Sequence, residues 1–285
     1  MTVALLNGAF TPLEEARISP MDRGFLFGDG IYEVIPSYDG LMVGFDRHMA
    51  RLDDGLSAIG LHNPLSRQQW HESLSQLLAK NGSDSLAIYL QVTRGVARQR
   101  AHRFPDKPKP TIFAYTFAID SAPTGDPVTA KRFSVVTGED LRWQRCHIKS
   151  IALLGNVLHM MEGVDRGAEE ILLFNAQEQL TEAAACNVFI VSGTTIATPT
   201  LDNQKLPGIT RNMLIDILRD HGQWVVEERV ITRDEVLSAD EVWLTSSTKE
   251  IAPVVAIDGQ SVGNGQPGKL WSAAQSLFAQ HRFHY

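Results

Sequence analysis

Cysteine is scarce: Cys146 and Cys186 are the only two in 285 residues, and no CxxC pairing brings them together. That excludes a disulfide framework and fits a reducing, cytoplasmic setting. Long apolar runs are missing as well, and none approaches the ~18 residues that a membrane-spanning helix needs. The opening MTVALLNGAFTPLEEA has no cationic lead before an apolar stretch, so no signal peptide is expected. Positive charge is in deficit, with 26 Lys and Arg against 33 Asp and Glu and a net charge of −7. A nucleic-acid binder would present a basic face, so none is expected here. The nine histidines form no HxxxH pair and no Cys/His cluster with ligand spacing, which argues against a metal site.

What remains is the composition of an ordinary globular chain, 44% hydrophobic and 21% charged. Its length suggests roughly two domains with a sizeable core. Through residue 120 the pattern mixes strands and helices. GIYEVIPSYDGLMVGF reads as a hairpin turning at Asp39 and Gly40. HMARLDDGLSAIGL places Met49, Leu52, Leu56 and Ile59 on one helical face, and residues 66–80 read as a second helix burying Trp70, Leu74, Leu77 and Leu78. LAIYLQVTRG and PTIFAYTFAI come next as strands, separated by a polar, proline-bearing loop over 96–109. Residues 121–127 (SAPTGDP) have the composition of a linker. From 128 to 285 the pattern restarts, with RFSVVTGED as a strand and SIALLGNVLHMMEGVDRG as a helix of mostly apolar surface. EEILLFN, NVFIVSG, TTIATPT and EVWLTSS read as strands; TRNMLIDILRDHG and KLWSAAQSLFAQHRF read as helices. The reading is α+β, two domains around a mostly antiparallel core.

Among the few lysines, Lys149 is singular, because it falls where a strand-like stretch meets an apolar helix. Burying its ammonium would cost several kcal/mol, so such an amine becomes neutral, paired or covalently engaged, and a neutral amine attacks carbonyls. Taken alone, a lysine snorkelling to the surface is the simpler reading. Glu182, in TEAAACNVF, lies between two strand-like stretches among small residues, where a carboxylate needs a cationic partner; taken alone, a structural ion pair with an arginine is the favoured reading. In LPGITR a glycine turn feeds a helix N-terminus whose free N–H groups suit an anion, although Thr210 could simply cap that helix. The hydroxyl-rich turn from Thr245 to Thr248 could bind phosphate or merely end a strand. Together, a lysine, a buried carboxylate and phosphate-ready turns are the parts needed to hold pyridoxal 5′-phosphate (PLP).

The segments ISPMDRGFLFGDGIYEVI, HMARL, QVTRG…RAHRFP, EDLRWQRCHIKSIALLGNVL, LTEAAACNVF, LPGITR and TSSTKEIAPV occur in this order, from about Asp22 to Ile257. Together they resemble the fold-type IV (class IV) PLP-dependent aminotransferases, and within them the D-amino-acid aminotransferase branch. The resemblance implies a smaller N-terminal α/β sandwich and a larger C-terminal domain built on a mostly antiparallel pseudo-barrel. It implies that Lys149 is the Schiff-base lysine and α-proton base, and that Glu182 pairs with the pyridinium nitrogen. Arg51 would bind the cofactor phosphate together with Ile209, Thr210, Ser246 and Ser247, and Leu206 would pack on the ring. Tyr32 would lie near substrate, and Arg142 would support substrate or lysine through a more distant contact.

The same resemblance gives Arg100 and His102 the substrate α-carboxylate, with their loop reaching in from the other subunit of a homodimer. An arginine fork binds a carboxylate bidentately and a histidine adds a hydrogen bond. Fixing the carboxylate on one side decides which Cα–H bond faces Lys149, and so D against L. Two departures stand out. Four residues (96–99) separate VTRG from RAH where the family pattern has three, so Arg98 competes with Arg100 as the clamp. The hydroxyl-rich stretch after the glutamate reads Ala183, Ala184, Ala185 and Cys186, the last best taken as a small buried filler.

The implied reaction is a ping-pong exchange of the amino group between a D-amino acid such as D-alanine and 2-oxo acids such as pyruvate or 2-oxoglutarate. Alternatives within the fold are an L-branched-chain aminotransferase, which the RAH triplet disfavours, an (R)-amine transaminase, and less readily an aminodeoxychorismate lyase. Outside it stands a catalytically silent cofactor-binding protein.

Overall fold

The computed structural model describes residues 2–82 and 84–285. Its backbone divides into two compact units. The first runs to Ser121 and takes in Ile148–Leu153; the second holds Ala122–His147 and Leu154–Tyr285.

The first unit contains β1 (Val3–Leu6), β2 (Ala9–Pro12), α1 (Arg23–Phe27), β3 (Gly30–Tyr38), β4 (Leu41–Met42), α2 (Phe45–Ala58), α3 (Arg67–Asn81), β5 (Leu86–Thr93) and β6 (Thr111–Ala118). Its strands form an antiparallel sheet in the order β2-β1-β6-β5-β3-β4. The hairpin from β3 to β4 turns at Asp39 and Gly40, both at positive φ (51° and 80°), as a tight turn between right-twisted strands requires. Alternation along β5 sends Ile88, Leu90 and Val92 to one face, where they meet Met49, Leu52 and Leu56 of α2 and Trp70, Leu74, Leu77 and Leu78 of α3. Each fully buried side chain of this size contributes about 1.5–3 kcal/mol. A Ser66–Gln69 capping box starts α3. The other sheet face carries a ladder of Tyr32, Tyr89 and Tyr115, with ring centroids 5.7 and 5.4 Å apart.

The five-residue α1 is too short to leave a periodic signal. Its ends are nonetheless written locally: Asp22 caps it through the Gly24 N–H, and Gly28 closes it in the left-handed conformation at φ 65°.

The second unit contains β7 (Phe133–Glu139), α4 (Leu154–Asp165), β8 (Glu170–Phe174), β9 (Leu180–Ala183), β10 (Asn187–Ser192), β11 (Thr195–Pro199), α5 (Ile209–His221), β12 (Val225–Arg229), α6 (Arg233–Leu237), β13 (Glu241–Ser246), β14 (Glu250–Ile257), β15 (Gln260–Ser261) and α7 (Lys269–His281). The sheet order is β12-β11-β10-β13-β14-β7-β8-β9, with β15 on β14. The pairs β11/β12, β14/β7 and β7/β8 are parallel and the other pairs antiparallel. Val135, Leu172, Phe174, Val188, Ile190, Leu244 and Val254 fill its main core. Residues 121–127, expected as a linker, carry neither helix nor strand. Within this unit the Pro123 carbonyl accepts from Gln275 and Arg282, and that of Gly125 from Ser272, which ties the segment to α7.

Two expectations from the sequence are corrected. The apolar run from Ser150 reads as helix, yet α4 begins only at Leu154. Residues 150 and 151 instead pair with β3, through the Ile31–Ser150 bridge and the bond from Ile151 N–H to Gly30 C=O (3.1 Å). Glu182 does not lie between strands but inside β9.

Candidate active site

In the first unit, Lys149 sits on the extended segment that pairs with the start of β3, its carbonyl accepting from the Tyr32 N–H at 3.1 Å. That pairing aims the half-buried side chain along the tyrosine, and the Lys149 Nζ lies 4.1 Å from the Tyr32 ring centroid. The position is neither a helix start nor a surface tether. It is an amine parked on an aromatic face.

On the core face of the same strand, between Ile31 and Ile35, stands the fully buried Glu33. Its carboxylate is chelated by Arg51 of α2, with Nε donating to Oε1 (2.8 Å) and Nη2 to Oε2 (2.7 Å), while the His48 ring contacts Oε2 through Nδ1 at 2.6 Å. Burial alone would push the Glu33 carboxyl up. The Arg51 charge and the bonds from Arg51 and His48 overcome it and hold the group at about 2. Burial pushes the imidazole of His48 below its usual range, against the opposing pull of Glu33. Arg51 of α2, whose neighbours Leu52 and Leu56 pack in the core, thus has its fork oriented by a carboxylate on β3.

Arg98, Arg100 and His102 lie exposed on the loop after β5. Among the described residues, no hydrogen bond, ion pair or ring contact joins them to Lys149 or Tyr32 of the same chain. Arg100 instead lies over the Phe27 ring (5.1 Å), and the His102 ring sits 5.4 Å from it.

In the second unit, β9 and β10 bring Glu182 against Asn187. Oε2 of Glu182 accepts from Asn187 Nδ2 (3.1 Å) and from the Leu206 N–H (2.9 Å), and Oε1 accepts from Arg142 Nη1. Burial pushes the Glu182 carboxyl up, and the Arg142 guanidinium opposes that. Arg142 is committed on every side: Asp140 chelates Nε and Nη2 (3.0 and 2.7 Å), and Nη2 also donates to the Gln204 carbonyl. Its guanidinium is engaged by Asp140, Glu182 and Gln204, so any support that Arg142 gives passes through these partners. Sequence reasoning points to neither Asp140 nor Asn187. A signal for Asn187 exists all the same: an amide five residues after the carboxylate folds back beside it across the turn closed by Ala183 N–H to Cys186 C=O.

Asn187 also fixes the approach to α5. It stands opposite Thr245 in the β10/β13 register, and a Cβ on Gly208 would come within 2.0 Å of its Oδ1, so only glycine fits there. Gly208, not Thr210, is the N-cap of α5, and no side chain caps it, so the first-turn N–H groups at Ile209 and Thr210 have no side-chain partner. On the adjoining strand, the hydroxyls of Thr245 and Ser246 are buried without a hydrogen-bond partner among the described residues. Uncapped amides and orphaned hydroxyls next to a held carboxylate suit a phosphorylated heteroaromatic ring.

Known proteins agree with this chemistry. The family described as amino-transferase class IV matches residues 30–257. A D-alanine aminotransferase of Bacillus licheniformis is 36% identical over 272 residues, covering 95% of this chain and 94% of the relative. One of Staphylococcus epidermidis is 37% identical over 284 residues, covering 99% and 98%. The branched-chain amino acid aminotransferase of Escherichia coli superposes with a TM-score of 0.90 at 24% identity, over 98% of this chain and 94% of that one. A fold IV transaminase of Curtobacterium pusillum gives 0.82 at 20% identity, over 99% and 98%. Extending over most of the chain, the family match and the D-alanine aminotransferase relatives establish that the protein is an amino-group-transferring, PLP-dependent enzyme of the class IV aminotransferases.

Proposed function

We propose that the protein exchanges amino groups between D-amino acids, D-alanine among them, and 2-oxo acids such as pyruvate and 2-oxoglutarate. The observation that carries this reading is the Lys149 amine held 4.1 Å from the Tyr32 ring, in a chain whose full-length relatives are D-alanine aminotransferases. When bound, PLP supplies an aldehyde that condenses with amines and a ring that accepts the electron pair released at Cα.

The remaining work falls to side chains. Lys149 would be the base that takes the proton from the substrate Cα and, once protonated, the acid that gives it back. Glu182, held by its bond from Arg142 and aligned by Asn187 and the Leu206 N–H, would face the ring nitrogen and keep its proton in place. Ile209, Thr210, Ser246, Ser247 and Arg51 would hold the phosphate, and Leu206 would pack on the ring. Tyr32 borders the substrate, whose carboxylate goes to Arg100 and His102.

That loop serves a second copy in a homodimer. Support comes from α4, whose Leu154 and Leu158 are 71% and 62% exposed and form, with Val157, Met161 and Val164, an apolar stripe at helical spacing. A cytoplasmic setting belongs to the same reading, with Cys146 and Cys186 both free thiols.

A spectral titration tests the assignment. The visible absorption of the bound cofactor should bleach with D-alanine and recover with 2-oxoglutarate. Bleaching by L-alanine instead would overturn the stereochemical reading, and bleaching by (R)-1-phenylethylamine alone would make the enzyme an amine transaminase.

A further inference from the structure

The loop between β5 and β6 carries two arginines that could meet a substrate carboxylate, Arg98 and Arg100, both exposed. Side-chain exposure does not choose between them. The backbone beneath them does.

Both ends of this loop are fastened to residues 21–23. On the way out, the Ala97 N–H donates to the Met21 carbonyl (3.2 Å), Val96 forms a bridge with Asp22, and the Arg23 N–H donates to the Gly95 carbonyl (2.9 Å). On the way back, the buried guanidinium of Arg23 takes the carbonyls of Ala101 (Nη1, 2.6 Å) and His102 (Nη2, 3.3 Å), with Nη1 also 3.5 Å from that of Arg103. Charge-assisted bonds of this kind fix a peptide's orientation more firmly than neutral ones. The third nitrogen of Arg23, Nε, donates to Asp29 Oδ2 at 2.7 Å. Asp29 is itself held by Arg94, through Nε (2.9 Å) and Nη2 (3.0 Å), and Arg94 is anchored on the Ile59 and Gly60 carbonyls at the end of α2. Two cations on one carboxylate make a rigid base, and the Phe104 ring closes it by stacking 3.6 Å from the Arg94 guanidinium carbon.

Arg98 lies at the bend between the two fastenings, exposed and away from the Arg23 grip. Arg100 directly precedes the gripped carbonyls, and its guanidinium shares the Phe27 ring with Arg23 (4.7 Å) and the His102 imidazole. We infer that Arg23 is a positioning residue: seated on Asp29, it grips the Ala101 and His102 carbonyls and sets the register in which Arg100 with His102, and not Arg98, presents to the substrate carboxylate. The extra residue in 96–99 is thereby absorbed at the bend, before the grip. A free loop would lose backbone and rotamer freedom on binding each substrate, and the grip removes part of that loss beforehand.

This inference rests on the proposed carboxylate role of the loop, and the test separates the two. Steady-state kinetics of the holoenzyme with D-alanine would compare Arg23→Gln, Arg100→Ala, Arg98→Ala and the Arg23→Gln/Arg100→Ala double variant. Arg23→Gln should raise KM for D-alanine about tenfold, with kcat within about twofold and the cofactor spectrum unchanged, as loss of preorganisation requires. In the Arg100→Ala background the same change should add less than about twofold, because the group it positions is gone. Arg98→Ala should leave KM unchanged. Arg23→Lys, which keeps the charge facing Asp29 but reaches fewer carbonyls, should fall between wild type and Arg23→Gln, and it serves in place of Arg23→Gln should that variant not fold. If Arg100→Ala raises KM while the Arg23 variants do not, or if their effect persists undiminished in the double variant, the positioning role is overturned. An unchanged KM in Arg100→Ala would overturn the carboxylate reading itself, and a raised KM in Arg98→Ala would move the clamp to that residue.

Discussion

Arg142 donates through Nη1 to Oε1 of Glu182, and the rest of its guanidinium is locked by Asp140, which also accepts from the Thr181 hydroxyl at 2.7 Å. The carboxylate assigned to the cofactor ring is therefore itself held by a fixed cation. Burial drives Glu182 towards its neutral form, and a neutral acid cannot stabilise a protonated ring nitrogen. Arg142→Met should lower kcat about a hundredfold, the scale of losing a buried charge partner. The acidic limb of the kcat–pH profile should move to higher pH, because a carboxyl freed from its cation holds its proton longer. An acidic limb that stays in place while kcat falls would assign Arg142 to packing alone.

Lys149→Ala should abolish turnover and the visible absorption of the cofactor. The backbone bond from the Tyr32 N–H to the Lys149 carbonyl needs no side chain, and the residue is only half-buried. Thermal unfolding should consequently stay within a few degrees of wild type, at about 1 kcal/mol of change. Retained turnover would remove this amine from the proton transfer.

How much of the fold and site is legible in the sequence depends on the range over which each signal acts. Helices α2, α3, α5 and α7 are readable because each runs thirteen residues or more and buries a regular stripe. The five-residue α1 and α6 and the four-residue β9 carry too few positions for a period to register. Strands β12 and β14 escape a sequence reading too, β12 because its half-exposed VVEER lacks a clean alternation. The stretch from Ser150 misleads for another reason: its apolar residues suit a helix, and only pairing with Gly30 and Ile31, over a hundred residues earlier, makes it extended. Motifs mark Lys149 and Glu182 but not their settings, because Arg142 and Asp140 lie about forty residues from Glu182 and no local pattern reports such a partnership. Cys186 reads as a buried filler, and burial does push its thiol up to about 12, far from a nucleophile's range.

Acid stability should depend on Glu33. Its carboxyl is held at about 2 in the folded chain against an ordinary 4.5, so the native state carries fewer protons than the unfolded state between these values. The stabilisation, roughly 3 kcal/mol, is fully present above pH 4.5 and is lost as pH falls towards 2. His48, pushed below 6.5, acts in the same sense, since below that pH the unfolded chain takes up a proton that the native imidazole resists. Denaturant titrations across pH 2 to 7 should show wild-type stability falling steeply on the acid side and Glu33→Gln falling less, from a lower plateau. Parallel curves for the two proteins would remove Glu33 from the linkage.

A shared site predicts complementation between two crippled chains. Suppose that the loop bearing Arg100 serves the Lys149 of a second copy. A Lys149→Ala chain then retains a good loop, and an Arg100→Ala chain retains a good amine. Mixing them one to one after dissociation and reassociation gives half heterodimers, and each heterodimer contains one site with both parts intact. Activity at limiting D-alanine should thus return to about a quarter of wild type, whereas either variant alone stays near its own floor. Charging the exposed stripe of α4 with Leu158→Glu should block the effect, because a carboxylate placed in an apolar subunit contact opposes association. Light scattering would then report monomers. Mixtures that merely average their parents, at a concentration where light scattering shows dimers, would mean that each chain clamps its own substrate.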